Sequence, residues 1–180
     1  MADLSALTPG VWNVDPSHST VGFTARHLMI TKVRGRFTGV AGEAKVNDDP
    51  FASTVEATVD MTTVTTGDEG RDAHLRGADF FDVEQYPTMT FTSTGFEADG
   101  DDYRMHGNLT VKGVTRPVTF AVEFDGVSPD PWGGVRAGFT AEAEINRKDW
   151  GLEWNVILET GGALVGEKIK IQLEIEAVQA

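Results

Sequence analysis

Apolar and polar positions alternate along most of this chain. The clearest stretch is "IKIQLEIE" at residues 169–176, where every second side chain is aliphatic and those between are polar or charged. A period of two is typical of a β-strand that buries one face and exposes the other. The same alternation is present in "STVGFTARH", "STVEATVDM", "YRMHGNLTV", "VTFAVEF" and "GFTAEAEI". Together with "PTMTFTS" and a segment around residues 37–46, the pattern predicts about eight strands.

Short segments rich in Gly, Pro, Asn and Asp separate the predicted strands, among them "NDDP" at 47–50 and "EADGDD" at 97–102. Such residues favour turns, and connections this short usually join antiparallel neighbours. No repeat or linker-like segment interrupts the series. The pattern therefore indicates a single β-barrel or β-sandwich domain over residues 1–180, with a loose tail over residues 1–9.

Strands with one buried face are compatible with a sandwich or a barrel. Two features favour a barrel that holds space inside. The last strand is long, regular and free of proline, as expected of a strand that pairs on both edges and closes a sheet. Small side chains also recur on the predicted inner faces, and an eight-stranded barrel with small inward residues has room for one ligand. These small residues are Ala25, Ala57, Gly107, Ala141 and Ala143.

One segment does not follow the strand pattern. "TTGDEGRDAHLRG" predicts a short α-helix near residues 67–77. Thr66 followed three positions later by Glu69 has the spacing of a capping box at a helix start, and Gly77 is a suitable helix end.

The faces of this helix lead to two hypotheses. Asp72 and Arg76 are four positions apart, with the acid first, and are expected to pair on the surface. Arg71, His74 and Leu75 share another face. In one hypothesis Leu75 packs while Arg71 and His74 merely cover the barrel rim. In the other, the helix is a lid over one barrel mouth and presents Arg71 and His74 to the polar end of a ligand.

Composition narrows the function classes. The formal net charge is -13, from 28 acidic and 15 basic residues, which argues against a nucleic acid or an anionic membrane surface as a partner. The chain has no cysteine, so neither a disulfide nor a thiolate metal site is available. The N-terminal segment does not resemble a secretory leader, and no run of about 18 apolar residues follows. We therefore expect a cytoplasmic protein without stable membrane insertion.

The basic residues are unevenly distributed. "RHLMITKVRGR" at residues 26–36 contains Arg26, Lys32, Arg34 and Arg36 and no acid. This run is either a solvated strand face or a positive rim that would suit a small anionic headgroup.

Common catalytic motifs are absent: the sequence has no nucleophile elbow, no zinc-protease motif and no phosphate-binding glycine loop. His27 shares the inward parity of Val21 and Phe23, whereas His106 is expected to face water. An inward histidine is either a hydrogen-bonded core residue or part of a site, and His27 with His74 at one mouth would suit a transition metal or haem. A small metal- or haem-dependent enzyme and a packed β-domain interaction module therefore remain alternatives to a binding protein.

The segment "NRKDWGLEWN" at residues 146–155 interrupts the alternation before the last strand. One interpretation is a tight crossover held by a contact between Arg147 and Asp149, with Trp150 as a plug. In the other interpretation, Trp150 lines the entrance of a pocket.

Four blocks in order along the chain resemble the YceI-like family of polyisoprenoid-binding proteins. They are "VDPSHSTVGFTARHLMITKVRGRFTGVAG", "RDAHLRGADFFDVEQYPTMTFTS", "GNLTVKGVTRPVTF" and "INRKDWGL". The resemblance covers residues 10–178. It implies an all-β fold, a lipocalin-like antiparallel eight-stranded barrel whose apolar pore holds a long isoprenoid chain. The ligand would be a polyprenyl phosphate, a polyprenyl pyrophosphate or an isoprenoid quinone, and the resemblance is also compatible with a homodimer.

The resemblance and the strand pattern together nominate the site. We expect a protein for non-catalytic binding, transport or storage of an isoprenoid lipid, with no metal and no cofactor besides that lipid. Affinity should come from burying the chain, at about 0.8 kcal/mol per methylene group, while the polar head selects the ligand. The expected headgroup residues are His27, Arg71, His74, Arg147 and Trp150. The expected tail-binding residues are Val21, Phe23, Val59, Phe91, Leu109, Phe120, Phe139, Ile145 and Ile171.

Overall fold

Eleven strands, one α-helix and five short 3₁₀ helices are present in the computed structural model, which describes residues 3–159 and 162–180. The strands are β1 (Gly10–Val14), β2 (Thr20–His27), β3 (Thr31–Phe37), β4 (Val40–Val46), β5 (Thr54–Asp60), β6 (Val64–Thr65), β7 (Thr88–Asp99), β8 (Asp102–Val111), β9 (Val114–Pro129), β10 (Val135–Asn146) and β11 (Lys168–Gln179). The helix, α1, spans Glu69–Arg76 between β6 and β7. The 3₁₀ helices span Leu4–Ala6, Pro16–His18, Pro50–Ala52, Met61–Thr63 and Arg147–Trp150.

The strands pair antiparallel and close into a barrel with eight long wall strands. Three of these wall strands are divided by a short break: β1 continues as β2, β3 as β4, and β5 as β6. Neighbours along the chain are neighbours in the wall, and β11 pairs with β10 on one edge and with β1 and β2 on the other. The prediction of an eight-stranded antiparallel barrel closed by its last strand is confirmed.

Side-chain hydroxyls keep the wall closed where the divided strands break. The first break is a 3₁₀ turn that begins with Pro16, a residue without an N–H for the sheet. There the hydroxyl of Ser19 accepts a hydrogen bond from the backbone N–H of Glu176 (3.1 Å). Between the next two wall strands, the hydroxyl of Thr63 accepts from the N–H of Gly39 (3.0 Å). At these breaks, side-chain hydrogen bonds therefore connect neighbouring wall strands where the backbone ladder is interrupted.

The up-and-down order places the connections at two ends of the barrel. One end, here called the mouth, carries the β2–β3 hairpin, α1 with the segment that follows it, and the described parts of the β10–β11 connection, residues 147–159 and 162–167. The other, here called the closed end, carries the N-terminal segment and the β7–β8 and β9–β10 turns. The main core cluster lines the barrel wall, and a second cluster fills the closed end with Trp12, Val46, Phe124, Ala137 and Ala177.

The described part of the N-terminal segment, residues 3–9, packs against the closed end, in contrast to the loose tail expected from the sequence. Leu4 and Leu7 contact the cluster around Trp12. The indole N–H of Trp12 donates to the carbonyl of Thr8 (3.0 Å), whose hydroxyl accepts from the side-chain amide of Gln179 (2.7 Å). Two leucines three positions apart in a 3₁₀ turn point to the same side, which a search for strand alternation misses.

The helix lies where the sequence predicts it but begins with a different cap. α1 starts after Asp68, whose carboxylate accepts from the N–H of Arg71 (2.8 Å). The predicted capping box is wrong, because Thr66 lies before the cap and binds Asp72 instead. Gly77 ends the helix as expected. None of the helices in the described residues has the length and apolar character needed to cross a membrane.

Candidate functional site

A cavity of about 660 Å³ occupies the interior of the barrel. It extends from Leu4 and Leu7 at the closed end to Trp154 and α1 at the mouth, and its walls are mainly apolar side chains. Along β11, the lining residues from Ile169 to Ala177 span eight residue steps, which corresponds to about 26 Å of strand. Because strands in such barrels tilt by roughly 40°, the lined length is about 20 Å along the barrel axis.

The alternation of side chains along each strand correctly predicted which residues line the cavity, because successive side chains of a strand point to opposite faces. Each of the residues expected to bind the tail lines the cavity, and so does each of those expected at the headgroup. Which of them contact a ligand stays a prediction. The nine tail-side residues are Val21, Phe23, Val59, Phe91, Leu109, Phe120, Phe139, Ile145 and Ile171.

The small inward residues have two different roles. Gly107 makes room for a neighbouring ring, because a Cβ at this position would lie 2.2 Å from Cζ of Phe91. Ala143 packs within the main core cluster. In the described structure neither Gly107 nor Ala143 lines the cavity, contrary to the expectation that they make space for a ligand. The other three small residues do line it: Ala25, Ala57 and Ala141.

An aromatic contact holds α1 against the β10–β11 connection. The imidazole of His74 lies edge-on to the indole of Trp154, with ring centroids 4.6 Å apart, and to the ring of Phe80, at 5.0 Å. Nε2 of His74 is also 2.9 Å from Oδ2 of Asp79. The helix therefore covers the mouth as a lid, and His74 is engaged by other protein groups on that lid.

The polar side chains at the start of α1 bind Thr66. Arg71 donates from Nε to the hydroxyl of Thr66 (2.7 Å) and from Nη2 to its carbonyl (3.0 Å). Asp72 is buried and accepts from the backbone N–H of Thr66 (2.8 Å) and from its hydroxyl. The predicted surface pair between Asp72 and Arg76 is therefore wrong, since the carboxylate turns inward to satisfy the chain before the helix.

Arg147 is buried, with 3% of its surface exposed, and it holds the β10–β11 connection together. Its guanidinium reaches backbone carbonyls across residues 152–166 at distances of 2.5 to 3.3 Å. Burial lowers the pKa of this guanidinium, and the carbonyl oxygens supply acceptors where a carboxylate is missing. The acceptors belong to Leu152, Trp154, Val165 and Gly166.

The crossover contact predicted between Arg147 and Asp149 is wrong, because Arg147 turns inward while Asp149 is exposed. Trp150 is buried, and its indole N–H donates to the carbonyl of Leu109 (2.9 Å). It also lines the cavity. Both interpretations of Trp150 thus hold in part: it closes the wall beside β8 and its ring faces the interior.

Two mouth residues keep free hydrogen-bonding capacity. Arg26 and His27 line the cavity at the end of β2, beside Leu164 and Val165 of the β10–β11 connection. Within residues 3–159 and 162–180, neither the guanidinium of Arg26 nor the imidazole of His27 makes a hydrogen bond or an ion pair. These two side chains are therefore available to a polar group that enters the mouth.

The arrangement of histidines and carboxylates gives a metal site little support. In the described part of the chain, the group of three close enough to share an ion consists of Asp15, His18 and Glu176, on the outer wall. The guanidinium of Arg136 already donates to Asp15 (2.7 Å) and to Glu176. Its positive charge opposes a cation there, so an ion-pair network explains the group. The histidines at the mouth are not part of it.

Sequence reasoning missed several residues that line the cavity. Leu4 and Leu7 lie in the segment expected to be a loose tail, where their spacing of three was the available signal. Leu164 and Val165 belong to a connection without alternation, so no periodic pattern could assign them an inward face. Thr66 lines the mouth because it binds both Arg71 and Asp72, which depends on the fold.

Comparisons with known proteins agree with this architecture. The model of the YceI-like domain family matches residues 12–177. Curated relatives include proteins called YceI from Escherichia coli O157:H7, 39% identical over 163 residues, and from Salmonella newport (strain SL254), 37% identical over 163 residues. Each match covers 90% of this chain and 82% of the relative.

Solved structures with the same fold include BcnA of Burkholderia cenocepacia, with a TM-score of 0.74 and 24% identity over 91% of this chain and 98% of the other. A Campylobacter jejuni YCEI protein has a TM-score of 0.71 and 28% identity, covering 86% of this chain and 90% of the other. A polyisoprenoid binding domain from Saccharophagus degradans, implicated in plant cell wall breakdown, has a TM-score of 0.72. It is 16% identical and covers 96% of this chain and 100% of the other, so this likeness shows the fold alone.

Proposed function

Because this chain belongs to the YceI-like family, we propose that its barrel binds a long-chain isoprenoid lipid for transport or storage, without catalysing a reaction. The observation that carries the proposal is the apolar cavity of about 660 Å³, whose basic lining residues (Arg26, His27, Arg71, His74 and Arg147) all lie at the mouth. The polyisoprenoid binding domain from Saccharophagus degradans, which has the same fold, supports this class of ligand.

The apolar wall accounts for the affinity that such a ligand needs. Each buried methylene group contributes about 0.8 kcal/mol, so one five-carbon unit contributes roughly 3 kcal/mol. A few units therefore outweigh the cost of association and reach micromolar dissociation constants. Sites for small ligands usually measure about 300–1,000 Å³, and the cavity falls within this range.

The polar head of the ligand would lie at the mouth, near Arg26, His27 and Arg71. Arg26 and His27 have free donors, and Arg71 is exposed although it also binds Thr66. A phosphate or pyrophosphate head would gain charge-assisted hydrogen bonds there. Among the headgroup residues expected from the sequence, Arg147 and Trp150 already bind backbone carbonyls, so their role would be to shape the wall.

The proposal predicts that filling the cavity weakens binding while the fold persists. Ala141→Phe places a ring in the cavity, so we expect at least about tenfold weaker binding of a labelled polyprenyl phosphate by delipidated protein, with the free energy of unfolding changed by less than about 1 kcal/mol. The matched control is Ala143→Phe, two residues further on the same face and buried in the same core cluster, but outside the cavity lining. This variant should lose about 1–3 kcal/mol of stability.

Mass spectrometry of lipid extracted from the gently purified protein would identify the natural ligand. Unchanged binding by Ala141→Phe, together with an absence of extractable isoprenoid, would contradict the proposal. The packed interaction module considered from the sequence requires a solid barrel, which the cavity does not fit. Elemental analysis and an absorption spectrum test the metal- or haem-dependent alternative. The cytoplasmic location, the homodimer and the absence of a cofactor stay predictions.

A further inference from the structure

The β2–β3 hairpin presents large apolar side chains to solvent at the mouth. Leu28 and Met29 occupy the turn with φ of 54° and 62°, a left-handed conformation that normally favours Gly or Asn. Met29 is 54% exposed and Ile30 is 75% exposed. A strained turn with exposed aliphatic residues is unfavourable for folding, so its presence points to a contact outside the monomer.

A second apolar segment lies beside this hairpin. The N–H of Leu28 donates to the carbonyl of Leu164 (2.9 Å), and the N–H of Leu164 donates to the carbonyl of Val156 (2.9 Å). Val156 is exposed, and Ile157 next to it is 77% exposed. The backbone ladder thus brings two separate connections into one surface. We call this surface the apolar tip, and it consists of Leu28, Met29, Ile30, Val156 and Ile157.

Four exposed cations follow the apolar tip along the outer faces of β2 and β3, with Arg26 and Lys32 nearest to it and Arg36 farthest away. We call them the cationic wall, namely Arg26, Lys32, Arg34 and Arg36. Arg26 lies directly opposite Lys32 across the two strands, an arrangement of like charges that destabilises a sheet. None of the four side chains forms an ion pair within the parts of the chain that the structure describes, residues 3–159 and 162–180.

Two lysines on the neighbouring strand β11, by contrast, lie close to carboxylates. Lys168 lies 3.7 Å from a carboxylate oxygen of Glu144, and Lys170 lies 3.4 Å from one of Glu142. They share an outer groove of about 680 Å³ with Arg26, Lys32, Arg34 and Met29. One side of the groove therefore carries two β11 lysines, each with a carboxylate of β10 nearby. The other side carries the cations of β2 and β3, which have no such acidic neighbour among the described residues. The unpaired charge is concentrated beside the apolar tip.

We propose that the mouth end of the barrel docks on the surface of a bilayer that contains anionic lipid. The apolar tip enters the headgroup region, and the cationic wall contacts lipid phosphates. Apolar insertion and basic residues together are the two signals that reversible membrane binding uses. The net charge of -13 argues against such a surface only when it is averaged over the whole chain. Acids near the mouth lie on the lid, such as Asp68, Glu69 and Asp79, and on the β10–β11 connection, such as Glu153, Glu159 and Glu167, whereas β2 and β3 carry none between Arg26 and Arg36.

Docking in this orientation places the cavity next to the bilayer. Arg26 belongs to the cationic wall and also lines the cavity, together with His27 and Leu164. A lipid could then move between bilayer and barrel without exposing its chain to water. The docking itself depends on the outer surface, so it holds whether or not the ligand is an isoprenoid.

Co-sedimentation of delipidated protein with vesicles tests the docking. Wild type should bind vesicles of phosphatidylcholine with phosphatidylglycerol and bind those of phosphatidylcholine poorly. Lys32→Gln with Arg34→Gln should weaken binding by about 25-fold, since one basic residue near an anionic surface contributes about fivefold. Met29→Ser with Ile30→Ser should weaken it by at least about tenfold, since two exposed apolar side chains lose their insertion.

The matched control is Lys168→Gln with Lys170→Gln, which removes the same charge from the same groove. This control should bind within about threefold of wild type, because each lysine lies within 4 Å of a carboxylate whose negative charge opposes its attraction to an anionic surface. Ala141→Phe should dock like wild type, which separates docking from capture of a lipid in the cavity. Circular dichroism and urea unfolding verify that each variant is folded. The proposal is overturned if wild type does not distinguish the two vesicle types, if the control falls as far as the variant that lacks Lys32 and Arg34, or if Ala141→Phe abolishes docking.

Discussion

The two ends of the barrel are closed by different kinds of interaction. At the closed end, Trp12 is 2% exposed within an apolar cluster, and the chain termini are joined by a hydrogen bond between Gln179 and Thr8. The backbone N–H of Ala180 also donates to the carbonyl of Val11 (2.8 Å). At the mouth, side-chain contacts hold the lid: His74 packs on Trp154 of the β10–β11 connection, and Leu75 and Phe81 pack against the main core cluster.

This difference indicates which end can open. Among the described residues, no backbone hydrogen bond joins residues 69–87 to residues 147–167. Separating α1 from the β10–β11 connection would therefore break aromatic contacts, worth about 0.5–1.5 kcal/mol per pair, and leave the backbone ladders of the barrel intact. Opening the closed end would disrupt the second core cluster and the junction of the termini. Local opening at low free energy is characteristic of ligand-binding segments.

The largest effect is expected at the closed end. Trp12→Ala should lower the free energy of unfolding by about 3–5 kcal/mol, because it removes a fully buried ring and leaves a cavity. Urea unfolding followed by fluorescence or circular dichroism measures this change. Trp132→Ala is the matched control, since Trp132 in the β9–β10 turn is 84% exposed and its loss should cost less than about 0.5 kcal/mol. A small effect of Trp12→Ala would show that this end is not the firmly closed one.

Arg147→Met should have the next largest effect, and it should be confined to the mouth. Loss of the guanidinium leaves buried carbonyls without donors, so we expect the β10–β11 connection to lose about 3 kcal/mol of local stability. Hydrogen exchange at the amides of Leu164 and Gly166 measures this loss of local stability, since both amides donate to backbone carbonyls at the mouth.

Lys148→Ala is the matched control for that variant. Lys148 forms an exposed ion pair with Glu167 (2.8 Å), so its loss should cost about 0.5 kcal/mol or less. If Arg147→Met accelerated exchange equally throughout the barrel, the mouth would not be an independent unit of stability.

Compared with Trp12→Ala and Arg147→Met, Arg136→Gln near the closed end should have the smallest effect on the free energy of unfolding at neutral pH. Its effect should also depend on pH. Hydrogen bonds from Ser17, then Arg136 and His18, hold the pKa of Asp15 below its ordinary range. A lowered pKa stabilises the fold above the unfolded pKa of about 4, and this contribution is lost as pH falls toward the folded pKa. The stability difference between wild type and variant should therefore be largest near neutral pH and shrink below about pH 4.

Urea midpoints measured from neutral to strongly acidic pH would check this behaviour. Arg104→Gln is a suitable control, since Arg104 forms an exposed pair with Asp99 (3.0 Å). A difference between wild type and Arg136→Gln that did not change with pH would mean that the ion pairs of Arg136 do not carry its effect.

The alternation of apolar and polar residues was sufficient to predict which side chains of the barrel wall point inward. Alternation along β2 identified Val21 and Phe23 as inward residues, and alternation along β10 did the same for Phe139 and Ala141, because the two faces of a strand follow directly from residue order. The helix could also be located, since the acidic start and Gly77 are local signals. Neither result required knowledge of distant parts of the chain.

The alternation and helix signals of the sequence could not predict which residues from other segments a side chain contacts. Arg147 could have bound Asp149 nearby, yet it binds carbonyls of a connection that folds over it, and Asp72 turns away from Arg76 to reach Thr66. Ala141 and Ala143 share one face and both belong to the main core cluster, yet Ala141 lines the cavity and Ala143 does not. Residue order dictates the direction of a side chain within its strand. What that side chain meets depends on which other segments the closed barrel brings opposite it, and only the folded chain specifies those neighbours.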